Sequence, residues 1–294
     1  MPGTQTRGAA GPVPWDVRLC LLYNRLFGVW GRRNPFTREC AELGHLWNND
    51  RAEAGRRFVD LGYAKGDKFL RTFPEIDLVG RRVLDFGSGS GGASLLYAER
   101  GATQVIGVDI SEASLAIAHE AIAQRRGHGA GAGPPIEFRR GGTRTIPLED
   151  ESVDLVLSED AVEHLEDPEA IFHEWWRVLA PGGKVILSFG PLWYHPHGLH
   201  LWDIFPAPWT HVLFPERTCV RARNLLKADG GQQQTWTGLG MNRMTLRRFA
   251  RLVATSNFRP ALMRVHAVRG LQPLLRVPGI REFFASEVDC ILEK

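Results

Sequence analysis

Val83-Leu84-Asp85-Phe86-Gly87-Ser88-Gly89-Ser90-Gly91-Gly92 decides how the rest of the chain is read. A short apolar run of strand character enters a glycine loop, and a helical stretch, Ala93 to Arg100, leaves it. Glycines let the backbone turn tightly and let a ligand approach to contact distance. Val105-Ile106-Gly107-Val108-Asp109-Ile110 follows as a second buried strand, and its end carries a carboxylate, Asp109, eighteen residues past Gly91. At the edge of a doubly wound sheet such an acid accepts hydrogen bonds from ribose hydroxyls. Loop and acid together predict a nucleoside cofactor site.

The same alternation runs onward. Ser111 is placed to cap a helix through about Arg126. Residues 127–135 are Gly/Pro-rich and read as a loop. Ile136 to Arg139 is a third strand and Val153 to Ser158 a fourth. Residues 167–179 form a helix with Ile171, Trp175 and Val178-Leu179 on one face. Pro181-Gly182-Gly183 turns the chain into a fifth strand, Lys184 to Phe189. Thr245 can cap a helix through about Thr255, and the apolar stretches near 261–267 and 287–292 supply two last strands. The expected fold is α/β: a doubly wound, mostly parallel seven-stranded sheet with right-handed crossovers.

The core so defined takes residues 81–190 and 241–294. Residues 1–14 read as a disordered tail. Residues 15–80 read as an N-terminal helical cap, because Trp15, Leu19, Leu22, Leu26 and Trp30, then Leu43, Leu46, Trp47 and Phe58, recur at helical spacing. After Gly190 the alternation stops for about fifty residues, too many for a plain loop, so 191–240 reads as a lid insertion.

Composition narrows the function. The 294 residues are 44% hydrophobic and 23% charged with a net charge of +3, which excludes global disorder and argues against a dedicated nucleic-acid binder. Cys20, Cys40, Cys219 and Cys290 form no C-x-x-C pair and read as reduced thiols. No signal peptide is evident, and no apolar run reaches the ~18 residues of a membrane span. A cytoplasmic protein with a small-molecule substrate is expected.

Two cofactor classes compete for the loop. Gly87-x-Gly89-x-x-Gly92 also satisfies the dinucleotide fingerprint, which would make an NAD-linked oxidoreductase. Asp85 argues the other way, since a carboxylate just before the first glycine suits a cationic ligand and sits poorly beside a pyrophosphate. The loop also lies mid-chain, behind a helical leader.

Taken in order, Asp85-x-Gly87-x-Gly89-x-Gly91, Asp109, Val153-Asp154-Leu155-Val156-Leu157-Ser158 with Glu163-His164, and Arg177-Val178-Leu179-x-Pro181-Gly182-Gly183 resemble the class I S-adenosylmethionine (SAM)-dependent methyltransferases. The resemblance covers 80–190 strongly and 241–294 loosely. It implies SAM as cofactor, with Asp85, Gly87, Ser88, Gly89 and Gly91 around the methionine end, Asp109 on the ribose, and Ile110 against adenine. Gly142, Thr143 and Ser158 complete the implied cofactor set. The family usually carries a Gly-Asp-Ala triplet before Ile146-Pro147, whose Asp contacts the adenine amine. Here the triplet is Gly141-Gly142-Thr143, so adenine recognition falls to backbone groups, Thr143 or the third-strand loop.

Methyl transfer must align a nucleophile and, for a hydroxyl or carbon acid, remove its proton. Ligands bind beyond the carboxyl ends of the strands, where Ser158-Glu159-Asp160 leaves strand four and Gly190-Pro191-Leu192-Trp193-Tyr194 leaves strand five. Beyond them, His195, His197, His200 and His211 place four of the ten histidines within seventeen residues, interleaved with Trp193, Tyr194, Trp202, Phe205, Trp209 and Phe214. Three readings stand: a substrate lid supplying a base, a packed cap, or a metal site of two imidazoles and a carboxylate such as Asp203. Pro196-His197-Gly198-x-His200 resembles a stretch that relatives carry after strand five. Glu159, His195 and His200 are therefore the candidate bases. Trp47 and Arg56-Arg57 are candidates for the entrance. The expected function is SAM-dependent methyl transfer to a small molecule of specialised or cell-envelope metabolism. The alternatives are a SAM-using cyclase or isomerase of the same fold, or a metal-assisted methyltransferase built on the 195–211 cluster.

Overall fold

The structure is a computed structural model, and it describes residues 12–28, 50–127, 135–227 and 232–294. Trp30, Leu43, Leu46, Trp47 and Cys40, most of the N-terminal tail and most of the 127–135 loop lie outside the described residues.

β1 (Arg82–Phe86), β2 (Gln104–Asp109), β3 (Ile136–Arg140), β4 (Val153–Glu159), β5 (Leu179–Phe189), β6 (Arg259–Ala267) and β7 (Ala285–Glu293) form one sheet. Its order is β3-β2-β1-β4-β5-β7-β6. The first five strands pair in parallel, and β7 runs antiparallel between β5 and β6. The chain goes from β1 to β2 on one side and later returns to β4 on the other. That reversal opens a crevice at the carboxyl ends of β1 and β4.

Strand residues alternate between two layers, as a period of two requires. Leu84, Phe86, Ile106, Val108 and Val156 pack on one face with Ile171, Phe172 and Trp175 of α5 (Pro168–Val178) and Phe249 of α8 (Leu246–Thr255). Val83, Val105, Leu155 and Leu157 pack on the other with Phe69 of α2 (Arg51–Thr72) and Tyr97 of α3 (Gly92–Glu99). Each such side chain contributes about 1.5–3 kcal/mol on full burial, which is why the central strands are apolar on both faces.

Helix ends follow their caps. Asp50 Oδ1 accepts from Glu53 N at 3.0 Å at the start of α2, Asp167 Oδ1 from Ala170 N at 2.9 Å before α5, and Thr245 Oγ1 from Arg248 N at 3.0 Å before α8. α4 (Glu112–Gly127) begins under Ser111, whose Oγ accepts from Ser114 N at 3.2 Å. β5 starts earlier than the expected Lys184. Leu179 already pairs with Val153, the Pro181-Gly182-Gly183 turn bulges out, and pairing resumes with Lys184 opposite Leu155.

The two described helices of the leader separate. α2 lies on the sheet domain, against α3, where a side chain at Gly92 would strike Val59 O. α1 (Trp15–Phe27) instead joins the insertion. Val17 and Cys20 share a core with Trp193, Leu199, Ile204, Phe205, Trp236, Met241 and with Cys219 and Ala222 of α7 (Glu216–Leu226). Asn24 Oδ1 accepts from Ala207 N and from Thr210 Oγ1, both at 3.1 Å, and Tyr23 donates to Pro208 O at 2.6 Å. Thr210 opens α6 (Thr210–Leu213). No helix among the described residues is long and apolar enough to cross a membrane.

Candidate active site

β1 carries Asp85 into the crevice almost fully buried, 5% exposed, where Ser94 Oγ donates to its Oδ2. Burial raises this carboxyl to about 7, and nearby Asp109 adds to the shift while Ser94 opposes it. The loop then turns through Gly87, Gly89 and Gly91, all at positive φ. Gly89 shows why: its φ is +51°, and a Cβ there would point into open space rather than into protein. Gly91 closes the turn against Phe138, whose Cζ would lie 2.4 Å from a Cβ at 91. Asp109 anchors the loop from β2, accepting from Gly89 N at 2.9 Å and Ser111 N at 2.7 Å. Each carboxylate oxygen keeps further acceptor capacity.

Three cavities line the strand ends. One of about 570 Å³ runs from Asp85, Gly87, Ser88 and Gly89 to Lys65 of α2, Tyr97 and Glu159. A second, about 540 Å³, holds Asp109, Ile110, Gly142, Thr143 and His164. Gly87 and Asp160 line both, so the two form one trough across the switch point. The third, about 200 Å³, lies between the strand exits and the insertion, lined by Glu159, Lys68, Pro191, His195, Trp202 and Glu287. Lys65, Glu159 and Asp160 border the first and the third alike.

Glu159 ends β4. Burial raises its carboxyl to about 7, Asp160 adds to the shift, and Lys65 and Lys68 oppose it. Asp160 sits at φ 50° and binds Lys65 Nζ at 2.7 Å, tying α2 to the end of β4. Burial pulls Lys65 down, but Asp160, with Glu159 and Glu163 adding to it, offsets that and leaves its ammonium held above the usual value.

The implied cofactor residues divide. Asp85, Gly87, Ser88 and Gly89 line the trough at one end, and Asp109, Ile110, Gly142 and Thr143 at the other. Gly91 shapes the loop without lining a cavity. Ser158 lies inside β4, 1% exposed, in a central strand buried on both faces, and lines neither half of the trough. Gly142 N donates to Thr145 O at 3.0 Å, and a Cβ at 142 would lie 2.6 Å from Thr145 Oγ1. A side chain in place of the missing triplet carboxylate would therefore require the Thr145 hydroxyl to move.

SAM fits this trough on three observations. Ser88 Oγ is buried without a hydrogen-bond partner among the described residues. Asp85 is a buried carboxyl facing no cation among the described residues, which suits the cofactor's cationic end. Ile110 is 59% exposed beside Asp109, an apolar surface ready for a flat ring.

The histidines do not act as one group. His195 lines the third cavity, and its Nδ1 accepts from His197 N at 3.1 Å. Burial and the neighbouring imidazoles lower it to about 3, so it is neutral with its proton on Nε2. His200 is turned away from that cavity: its Nε2 donates to Pro191 O at 2.9 Å, and burial lowers it to about 4. His197 stacks on Trp202 with ring centroids 4.4 Å apart. His211 bonds Trp193 O, and Asp203 pairs with Lys227 at 3.8 Å. A metal site built on the 195–211 cluster is thereby corrected, since among the described residues these side chains do not converge. The aromatics likewise mostly fill the insertion's core, leaving Trp202 at the cavity. Arg56 and Arg57 pair with Glu53 on the outer face of α2 and line neither the trough nor the third cavity.

Sequence reasoning missed Lys65, Tyr97 and Asn242. Lys65 lies 95 residues from Asp160, and no local pattern links them. Asn242 Nδ2 donates to Val162 O and Leu165 O, holding the turn after β4.

Comparison with known proteins agrees with this geometry. The methyltransferase domain family model matches residues 84–187. An uncharacterised methyltransferase of Mycobacteroides abscessus is 30% identical over 220 residues, 74% of this chain and 78% of that protein. The ubiquinone biosynthesis O-methyltransferase of Pseudomonas fluorescens is 35% identical over 114 residues, 38% of this chain and 46% of that one. Among solved structures, a geranyl diphosphate methyltransferase in complex with SAM superposes with a TM-score of 0.51 at 16% identity, over 79% of this chain and 84% of that one. The fold and loop define a class I nucleoside-cofactor enzyme. The chain belongs to the SAM-dependent methyltransferases, and SAM is its cofactor. The NAD-linked reading is set aside.

Proposed function

We propose that this enzyme methylates a small-molecule acceptor held in the cavity beneath the insertion, with Glu159 taking the acceptor's proton. One observation carries the reading: Glu159 borders both the glycine-loop trough and the acceptor cavity. Bound SAM supplies an electrophilic methyl on a sulfonium. The chain supplies everything else. Asp85 holds the cofactor's methionine end and Asp109 its ribose. Glu159, raised to about 7 by burial, is matched to accept a proton near neutral pH. His195 offers its Nε2–H to an acceptor oxygen and orients it, because its Nδ1 lone pair is already used. His200, behind Pro191, does not reach the acceptor.

A cavity of about 200 Å³ suits a small molecule or its head group, and the near-balanced charge favours no nucleic acid. The likeness to an O-methyltransferase of ubiquinone biosynthesis supports a small hydroxylated acceptor in specialised or cell-envelope metabolism. Free, buried Cys20, Cys219 and Cys290 support a reducing, cytoplasmic setting. The test is incubation of the enzyme and methyl-labelled SAM with pooled small metabolites, RNA and protein. Label in a small product is expected. Label in a macromolecule, or turnover of an acceptor with no label in any product, overturns the reading.

A further inference from the structure

Three side chains that methyl transfer does not use converge where β4 and β5 leave the sheet. Glu163 and His164 lie on the single turn Val162–His164 after β4, and His200 comes back to them from the insertion at φ 59°. One ligand-capable atom from each lies within 4.8 Å of the other two. The rings of His164 and His200 meet edge-on at 5.2 Å between centroids.

Each imidazole is already fixed on its far side. His164 Nδ1 lies 2.7 Å from Gly240 O, and His200 Nε2 lies 2.9 Å from Pro191 O. A carbonyl only accepts, so those nitrogens carry the protons. His164 Nε2 and His200 Nδ1 therefore keep their lone pairs in the neutral rings. A backbone carbonyl behind each ring is the arrangement that orients metal-binding histidines. Glu163 adds the independent sign. It is 2% exposed, its Oε1 accepts from Gly190 N at 3.1 Å, and its Oε2 is buried with no hydrogen-bond partner among the described residues. An unpaired buried carboxylate oxygen is costly unless a proton or a cation answers it.

We propose that Glu163, His164 and His200 bind one divalent metal ion of the Zn²⁺, Co²⁺ or Fe²⁺ kind, which clamps the insertion to the strand exits. Two imidazoles and a carboxylate suit such ions. Three protein ligands leave positions open, and His164 lines the second half of the trough. The clamp acts on the acceptor cavity through its wall, because Gly190 and Pro191 line that cavity while bonding Glu163 and His200. The proposal does not depend on which acceptor is methylated.

The experiment uses the full chain without a polyhistidine tag, stripped by chelator and titrated with Co²⁺ by calorimetry and visible absorption. One ion per chain is expected, with a higher melting temperature in the bound form. His164→Gln, at an exposed position, and His200→Gln should each weaken binding by at least about tenfold. Glu163→Gln, which removes only charge, should do the same, with circular dichroism unchanged. Absence of one-to-one binding, or equal affinity in the wild type and the three variants, overturns the site.

Discussion

The carboxyl edge of the sheet and the insertion above it are both rich in polar and aromatic residues, yet they treat them in opposite ways. At the sheet edge, Asp85 and Glu159 are carboxyls pushed to about 7 by burial, and Ser88 Oγ has no partner. In the insertion, Trp209 Nε1 donates to Tyr194 O at 3.0 Å, His211 bonds Trp193 O, and Asn24 is shared between Ala207 and Thr210. Buried polar groups in a stable fold are normally paired. The insertion largely obeys that rule, with His197 Nδ1 an exception among the described residues. The edge breaks it where a ligand with a cation and hydroxyls would restore the pairing. A high density of histidines is therefore a poorer guide to chemistry than a few unanswered oxygens.

Substitutions can break this contrast, and the largest effect belongs at the edge. Asp109→Ala removes the proposed ribose acceptor and two loop bonds, each worth about 1–1.5 kcal/mol. SAM affinity measured by calorimetry should fall about a hundredfold. An unchanged affinity would detach Asp109 from the cofactor.

Asp85→Asn should move two quantities in opposite directions. SAM affinity should drop about tenfold, with loss of one charge-assisted contact. The cofactor-free protein should gain stability at high pH. Because the folded carboxyl titrates near 7 rather than its ordinary 3.8, its favourable contribution is fully present below about 3.8 and is lost as pH rises through about 7. Thermal melts should show the variant steadier by about 1–3 kcal/mol at pH 8, with the gap closing at low pH.

Trp193→Ala strikes the other region. It should cost about 3 kcal/mol of stability and leave SAM affinity within about twofold, because Trp193 packs on Trp236 and His211 and not on the trough. A larger loss of SAM affinity would merge the two regions. Arg56→Ala marks the floor: its exposed pair with Glu53 should be worth less than about 0.5 kcal/mol in a urea melt.

What was legible in the sequence was local. Apolar runs ending at Asp85 and Asp109, the glycine loop, and caps such as Ser111 and Thr245 each depend on neighbours within a few residues, so the sheet and the trough could be read directly. What was not legible depended on contacts across the chain. Asn24 meets Ala207 across 183 positions and Lys65 meets Asp160 across 95, which no spacing announces. His195 and His200 looked alike, and only the backbone groups beside their rings separate them. Ser158 matches the family pattern, but it lies within a central strand buried on both faces, which the motif alone does not reveal. The early start of β5 was hidden by Pro181-Gly182-Gly183, which breaks the run without ending the strand.

The central claim is that Glu159, where trough and acceptor cavity meet, takes the acceptor's proton. Transfer of labelled methyl from SAM by the wild type and by Glu159→Gln, followed from pH 5 to pH 9 with the acceptor found by screening, tests it most directly. The wild-type rate should rise as pH passes about 7, when Glu159 ionises. The variant should lose that rise and about a hundredfold or more of rate, with SAM affinity held. A variant that keeps the same pH limb and rate would contradict the account.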